Sequence, residues 1–192
     1  MRAMTPTAVH LVRRIKATGP VTLAEYMTLC LTDPTHGYYT TRDPLGTAGD
    51  FTTAPEISQM FGELLGLCLA QCWLDRGAPK EIALVELGPG RGTLMADILR
   101  TTRRVPGFHD ALNLHLVEAS PALRAVQSQT IDREVIHHET VETLPHLPLF
   151  LAANEFFDAL PIRQFQRDGD RWRERVVGLE DAQLTLGLAA PL

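Results

Sequence analysis

Residues 82–99, reading Ile-Ala-Leu-Val-Glu-Leu-Gly-Pro-Gly-Arg-Gly-Thr-Leu-Met-Ala-Asp-Ile-Leu, constrain the fold more than any other stretch of the chain. The segment opens as an apolar run, turns through Gly88, Gly90 and Gly92, and resumes with helical spacing at Leu94, Met95, Ile98 and Leu99. That order is strand, glycine turn, helix. Glycine permits positive φ and close approach of the backbone, and the helix that follows aims its free N–H groups into the same space. The segment therefore reads as a nucleotide-type cofactor site.

Two features select among cofactors. Dinucleotide folds use Gly-x-Gly-x-x-Gly, whereas here Thr93 stands where the last glycine of that pattern would fall. Glu86, two residues before the first glycine, places a carboxylate at the mouth of the strand. It would repel a pyrophosphate and favour a ligand carrying an ammonium and a sulfonium. A nicotinamide oxidoreductase is disfavoured on both counts. An acid followed by Gly-x-Gly-x-Gly resembles the first motif of class I S-adenosylmethionine-dependent methyltransferases, with Glu86, Gly88, Gly90 and Gly92 as the cofactor-binding set.

The rest of the chain is read around this unit. Residues 4–17 carry an amphipathic pattern that ends at Gly19-Pro20, and Thr22-Leu-Ala-Glu25 has capping-box form before a second short helix. Residues 32–55 hold turn formers without sustained periodicity, as a functional lid would. Thr53-Ala-Pro-Glu56 reads as another capping box. It leads into a long helix whose wide apolar face takes in Ile57, Met60, Phe61, Leu64, Cys68, Cys72 and Trp73. Cys68 and Cys72 share that face and read as small core residues, and no His or Cys stands at zinc-ligand spacing, so no metal is expected.

Past the glycine helix, residues 101–110 read as a polar loop, and residues 112–117 form a strand ending in Glu118. In doubly wound folds an acid there binds ribose hydroxyls. Ser120-Pro121 caps the next helix, residues 135–138 give a third strand, and residues 149–155 give a buried-type strand running into Asn154-Glu155-Phe156-Phe157-Asp158. Asn154, Glu155 and Asp158 thus lie where open α/β sheets place their chemistry. Residues 162–167, 172–177 and 183–187 read as antiparallel hairpin strands around the turn Asp168-Gly169-Asp170.

Gly37-Tyr38-Tyr39, Asp43-Pro44-Leu45-Gly46, residues 49–58, residues 86–92, residues 117–120 and residues 154–161 together resemble the MidA-like family of methyltransferases. The resemblance implies a Rossmann-like, mostly parallel class I sheet with an N-terminal helical extension and a β-hairpin insertion. It implies S-adenosyl-L-methionine as cofactor and a protein substrate, since mitochondrial members are complex I assembly factors that methylate an arginine of a complex I subunit. Glu155, Asp158, Asn154 and, from the irregular stretch, Asp50 are then the catalytic candidates that would orient a guanidinium. The bland alternative for Asp50 and Asp158 is capping of local turns.

Family members are longer, and about five of the seven strands of such a sheet are legible, so the sheet is expected to be incomplete at its C-terminal side. Dimerisation is one way to cover it, and an assembly factor that binds cofactor or partner without turnover is the alternative function. Three parts are expected: residues 1–78 as N-terminal helices and lid, 79–161 as cofactor core, and 162–192 as a hairpin extension.

Charge and hydropathy exclude other classes. The 192 residues carry a net charge of -5 with acids and bases interspersed, which does not suggest a nucleic-acid or membrane partner. No apolar run has the length of a membrane span, and the first residues lack the apolar core of a secretory signal. A cytoplasmic location is the expectation on those grounds.

Overall fold

Six consecutive residues with no room for water define the centre of the fold: strand β2 (Ile82–Leu87) is buried along its whole length. The structure is a computed structural model, in which residues 4–38 and 53–192 are described. The chain forms two compact units, one of residues 45–157 and one joining residues 1–44 to 158–192. This grouping differs from the three-part division read from sequence. The long helix before β2 packs with the cofactor core, and the C-terminal strands fold with the N-terminal helices.

In the central unit a four-stranded parallel sheet runs in the order β4-β3-β2-β5, with β3 spanning Leu112–Val117, β4 Ile136–His138 and β5 Leu149–Ala153. Strand β2 pairs along its full length with β3, from Ile82 opposite Leu112 to Leu87 opposite Val117, and on its other edge with β5. Parallel strands covered on both faces read as continuous apolar runs, which is why β2 shows no alternation. Four parallel strands are present among the described residues, against the five or so read from sequence.

One face of the sheet is covered by Leu94, Met95, Ile98 and Leu99 of the helix that leaves the glycine turn (Thr93–Thr102), together with Trp73, Phe108 and Ile131. Phe108 lies in residues 101–110, expected as polar loop. It begins a short helix (Phe108–Ala111), is fully buried, and stacks edge-on against Trp73 with ring centroids 5.3 Å apart. The opposite face gathers Ala83, Val85, Leu87 and Val117 under Leu144, Leu147 and Phe156.

The region before β2 corrects two expectations. The helix begins only after a break at Ser58, whose hydroxyl accepts from the Met60 N–H, and runs Gln59–Asp75. Its buried residues are Gly62, Gly66, Ala70 and Trp73, while Ile57, Met60 and Leu64 are exposed, as are Cys68 and Cys72. The two cysteines are thus not core residues. The reason is close packing: a Cβ on Gly62 would lie 2.6 Å from Cβ of Asp97, and one on Gly66 would lie 3.0 Å from the Ile98 backbone. Two helices that approach this tightly meet through small residues, so the bulkier apolar side chains turn outward.

The second expectation concerns Thr53-Ala-Pro-Glu56. A short helix (Ala54–Ile57) does form with proline in its first turn, but Thr53 makes no side-chain cap. Glu56 instead accepts a 2.7 Å hydrogen bond from the Thr93 hydroxyl at the start of the glycine helix. A partner distant in sequence outcompetes the local one.

The other unit is built on strand β7 (Arg171–Glu180), which pairs antiparallel with β6 (Phe165–Asp168), with β8 (Gln183–Pro191), and with a two-residue strand β1 (Val21–Thr22). The hairpin strands expected from sequence therefore form a sheet of their own. Helices Pro6–Thr18 and Leu23–Leu31 pack Leu11 and Ile15 with Val21 and Val177. The capping box is formed as expected: the Thr22 side chain accepts from the Glu25 N–H, and the Glu25 carboxylate accepts from the Thr22 N–H at 2.9 Å. Glu25 also pairs with Arg14.

Gly62→Ala should lower stability by about 1–3 kcal/mol, because overpacking against Asp97 outweighs the gain in helix propensity. Leu64→Ser on the outward face should change it by less than about 0.5 kcal/mol. Urea unfolding of both variants measures the contrast.

Candidate cofactor and active site

Three adjacent parallel strands bring their carboxyl ends to one edge, and the sequence attaches a polar group to each. Strand β2 ends in Glu86-Leu87 and the glycine turn, β3 in Glu118, and β5 in Asn154-Glu155. The main chain ties these ends together: the Gly88 N–H donates to Val117 O at 3.0 Å, and the Glu118 N–H to His138 O at 2.9 Å. Parallel pairing therefore sets the spacing of the site.

Glu86 is only 3% exposed, and its Oε2 has no hydrogen-bond partner. Burial pushes its carboxyl up to about 8, with the Met95 N–H pulling weakly the other way. A buried carboxylate without a counter-ion takes a proton, or waits for a cation. Glu118 is half-buried, and burial also raises its carboxyl, opposed by hydrogen bonds from Ser120 and Gln127. Its Oε1 accepts from the Ser120 N–H at 2.8 Å. Glu118 is therefore not a freely solvated strand-end acid.

All three motif glycines have positive φ: 60° at Gly88, 54° at Gly90 and 85° at Gly92. Two of them also make room for side chains. A Cβ on Gly88 would meet the Phe156 ring at 2.6 Å, and one on Gly92 would meet Ile131 at 3.1 Å. The turn is thus pressed from one side by the segment after β5 and from another by the helix after β3 (Pro121–Thr130) with its following residue.

Glu155 is exposed and sits at φ 52°, a left-handed conformation that costs a residue with a Cβ about 1–2 kcal/mol. Asn154 beside it is half-buried. Asp158 is exposed and lies in the 3-10 turn Phe157–Ala159, where the chain passes into the other unit. Asp50 lies outside the described residues. The geometry therefore gathers Glu86, the glycines, Glu118, Asn154 and Glu155 along one sheet edge. Among the described residues no group of three or more His, Cys, Asp or Glu side chains is arranged to hold a metal ion.

Sequence reading missed Gln127 and Arg124 beside Glu118. Gln127 is fully buried, and Arg124 donates from Nε to Glu118 O at 2.7 Å. Gln127 had a visible signal: Leu123, Gln127 and Ile131 fall at i, i+4 and i+8, which puts an amide on an inward helix face.

A parallel sheet with an acid-led Gly-x-Gly-x-Gly turn after its buried strand, and a second acid closing the next strand, defines the class I S-adenosylmethionine-dependent methyltransferase fold. Residues 64–191 match the S-adenosyl-L-methionine-dependent methyltransferase family Methyltransf_28, and the chain belongs to that family. It is similar to the mitochondrial protein arginine methyltransferase NDUFAF7 of Xenopus laevis, at 42% identity covering 89% of this chain and 45% of that protein. The human protein of the same name is 40% identical over 92% of this chain and 46% of its own length. The chain thus spans a little under half the length of these curated relatives.

Among solved structures, a COG1565 superfamily protein from Burkholderia thailandensis, bound to S-adenosyl-homocysteine, superposes with a TM-score of 0.75 at 26% identity. The match covers 98% of this chain and 53% of that one. A native COG1565 structure from the same organism gives 0.70 at 27% identity, covering 98% and 51%.

These relatives overturn the cytoplasmic expectation, since the curated ones are named as mitochondrial. Hydropathy bears on secretory signals and membrane-spanning helices alone. An organelle transit peptide is recognised by quite different features.

The raised Glu86 carboxyl has a consequence for stability. A group whose folded value, about 8, lies above its unfolded value, 4.5, favours the folded state most below pH 4.5. That contribution is lost as pH rises from 4.5 to about 8. Ligand-free protein should therefore lose stability across this window, by up to about 1.4 kcal/mol per pH unit from this group. Glu86→Gln should flatten the loss in a series of thermal melts against pH.

Proposed function

We propose that this chain carries the cofactor site of an enzyme that transfers a methyl group from S-adenosylmethionine to a nitrogen of a protein side chain, an arginine of a complex I subunit. The observation that carries the reading is Glu86: a buried acid with an unpaired oxygen, set immediately before a glycine turn. Such a group suits a ligand with an ammonium, and the two oxygens of Glu118 suit ribose hydroxyls on the neighbouring strand end. Family membership and the names of the relatives support the same reading.

When bound, the sulfonium supplies an already activated methyl group. The chain's own residues then have to align and desolvate rather than activate. Glu86 holds the amino-acid end through its charge. Glu118, kept in place by the Ser120 N–H, holds the ribose end.

An arginine acceptor is cationic at neutral pH and a poor nucleophile until a carboxylate orients it and localises its charge. Glu155 takes that role, with Asn154 as an orienting hydrogen-bond partner. The left-handed backbone at Glu155 supports this assignment, because strain of that kind is retained where a side chain has to be aimed.

Calorimetric titration with S-adenosylhomocysteine tests the cofactor reading. Glu86→Gln should weaken it about tenfold or more, by loss of a charged hydrogen bond. The binding of adenosine, which lacks the ammonium, should be unchanged by the same substitution. A parent protein that shows no affinity for S-adenosylhomocysteine would remove the reading.

Glu155→Gln should leave the cofactor affinity intact while slowing transfer of labelled methyl to a complex I subunit at least about tenfold. An unaltered rate would take Glu155 out of the mechanism. Cofactor binding with no transfer by the parent protein would favour an assembly factor without turnover.

A further inference from the structure

One polar side chain is driven into the interior directly behind the glycine turn, and every hydrogen-bonding part of it is used. Gln127 is fully buried. Its Nε2 donates to Gly90 O at 2.7 Å and lies 3.5 Å from Glu118 Oε2, while its Oε1 faces His137 Nε2 at 3.0 Å. Two acceptors on the amide nitrogen settle which way the amide points, so His137 serves the contact with a proton on Nε2. The helix lies close behind the turn: a Cβ on Gly92 would be in ordinary van der Waals contact with Gln127 Cα, at 3.5 Å.

We infer that Gln127 is a positioning residue of the cofactor site, locking the Gly90 peptide of the turn to the Glu118 carboxylate so that two strand ends present their groups at a fixed spacing. The inference rests on the reading above, in which the turn and Glu118 bind one ligand. In a trans peptide the carbonyl and the following N–H point in opposite directions. Holding Gly90 O against Gln127 therefore also fixes the direction of the Arg91 N–H. His137 steadies the amide from the far side. A neutral amide suits the position, because Gly90 O and the Glu118 carboxylate are both acceptors, and a carboxylate at 127 would meet them with like charge and no proton.

The experiment is titration of S-adenosylhomocysteine into the parent protein, Gln127→Met, Gln127→Glu, Glu118→Gln and the Glu118→Gln/Gln127→Met double variant. Methionine keeps the volume and removes the hydrogen bonds, and should weaken binding about tenfold. In the Glu118→Gln background the same change should cost about threefold or less, because the group being positioned has already lost its charge. A purely structural effect would instead be the same in both backgrounds.

Gln127→Glu gives a second readout that does not depend on the methionine variant folding. Its protonated carboxyl can donate to Gly90 O and accept from His137, as the amide does. The ionisable neighbours are Glu118 and His137, with Arg124 one turn back on the same helix. Affinity relative to the parent should be near equal at pH 5 and at least about tenfold weaker at pH 8.

Equal affinity of parent and Gln127→Met, full additivity in the double variant, or a flat pH ratio for Gln127→Glu would each overturn the inference while leaving the cofactor reading intact. A parent protein that fails to bind S-adenosylhomocysteine would overturn both.

Discussion

The burial of one carboxyl group at the end of an otherwise apolar strand is the constraint from which the central unit takes its sense. Strand β2 could complete its packing with any aliphatic residue at position 86, and Ile82, Ala83, Leu84 and Val85 show what the surroundings prefer. A glutamate there, with one oxygen unpartnered and its acidity weakened to about 8, is a standing cost to the fold. Such a cost is tolerated where a ligand can relieve it. The glycine turn that follows at once gives the proposed ligand site a physical basis independent of any resemblance.

Around this point the structure stiffens the turn from several directions. Phe156 packs on Gly88, Ile131 on Gly92, and Gln127 takes the Gly90 carbonyl, while Thr93 at the head of the next helix is tied to Glu56. The glycines are therefore more than openings in the backbone. They are places where neighbouring elements come close enough to fix the turn, and a turn held this way has little entropy left to lose when a ligand arrives. The left-handed conformation at Glu155, next to the phenylalanine that presses on Gly88, ties the proposed acceptor residue to the same packing.

The long helix before β2 illustrates how packing can reverse a sequence pattern. Its apolar residues describe a wide face, yet the buried side is the line of Gly62, Gly66 and Ala70. Hydrophobic periodicity identifies which residues would gain from burial, not which face a neighbouring helix can approach most closely. Where two helices come so close that a Cβ on Gly62 would clash with Asp97, side-chain size decides.

Much of the fold, and the placement of the candidate cofactor residues within it, was legible in the residues: the strand, the three-glycine turn, Glu86 before it, Glu118 at the next strand end, and the capping box at Thr22. Those features are local, written in spacing, backbone freedom and charge within a few positions of one another. What only the tertiary structure decided is what depends on partners far apart in sequence. It settled that Glu56 serves Thr93 rather than its own helix cap, that Cys68 and Cys72 face outward, and that the C-terminal strands form a sheet with Val21 and Thr22. It also settled that a single buried amide at Gln127 joins the turn to the acid of the next strand. A sequence states which groups need a partner, and the three-dimensional packing assigns it, because competing partners are chosen by distance and desolvation, neither of which is set by order along the chain.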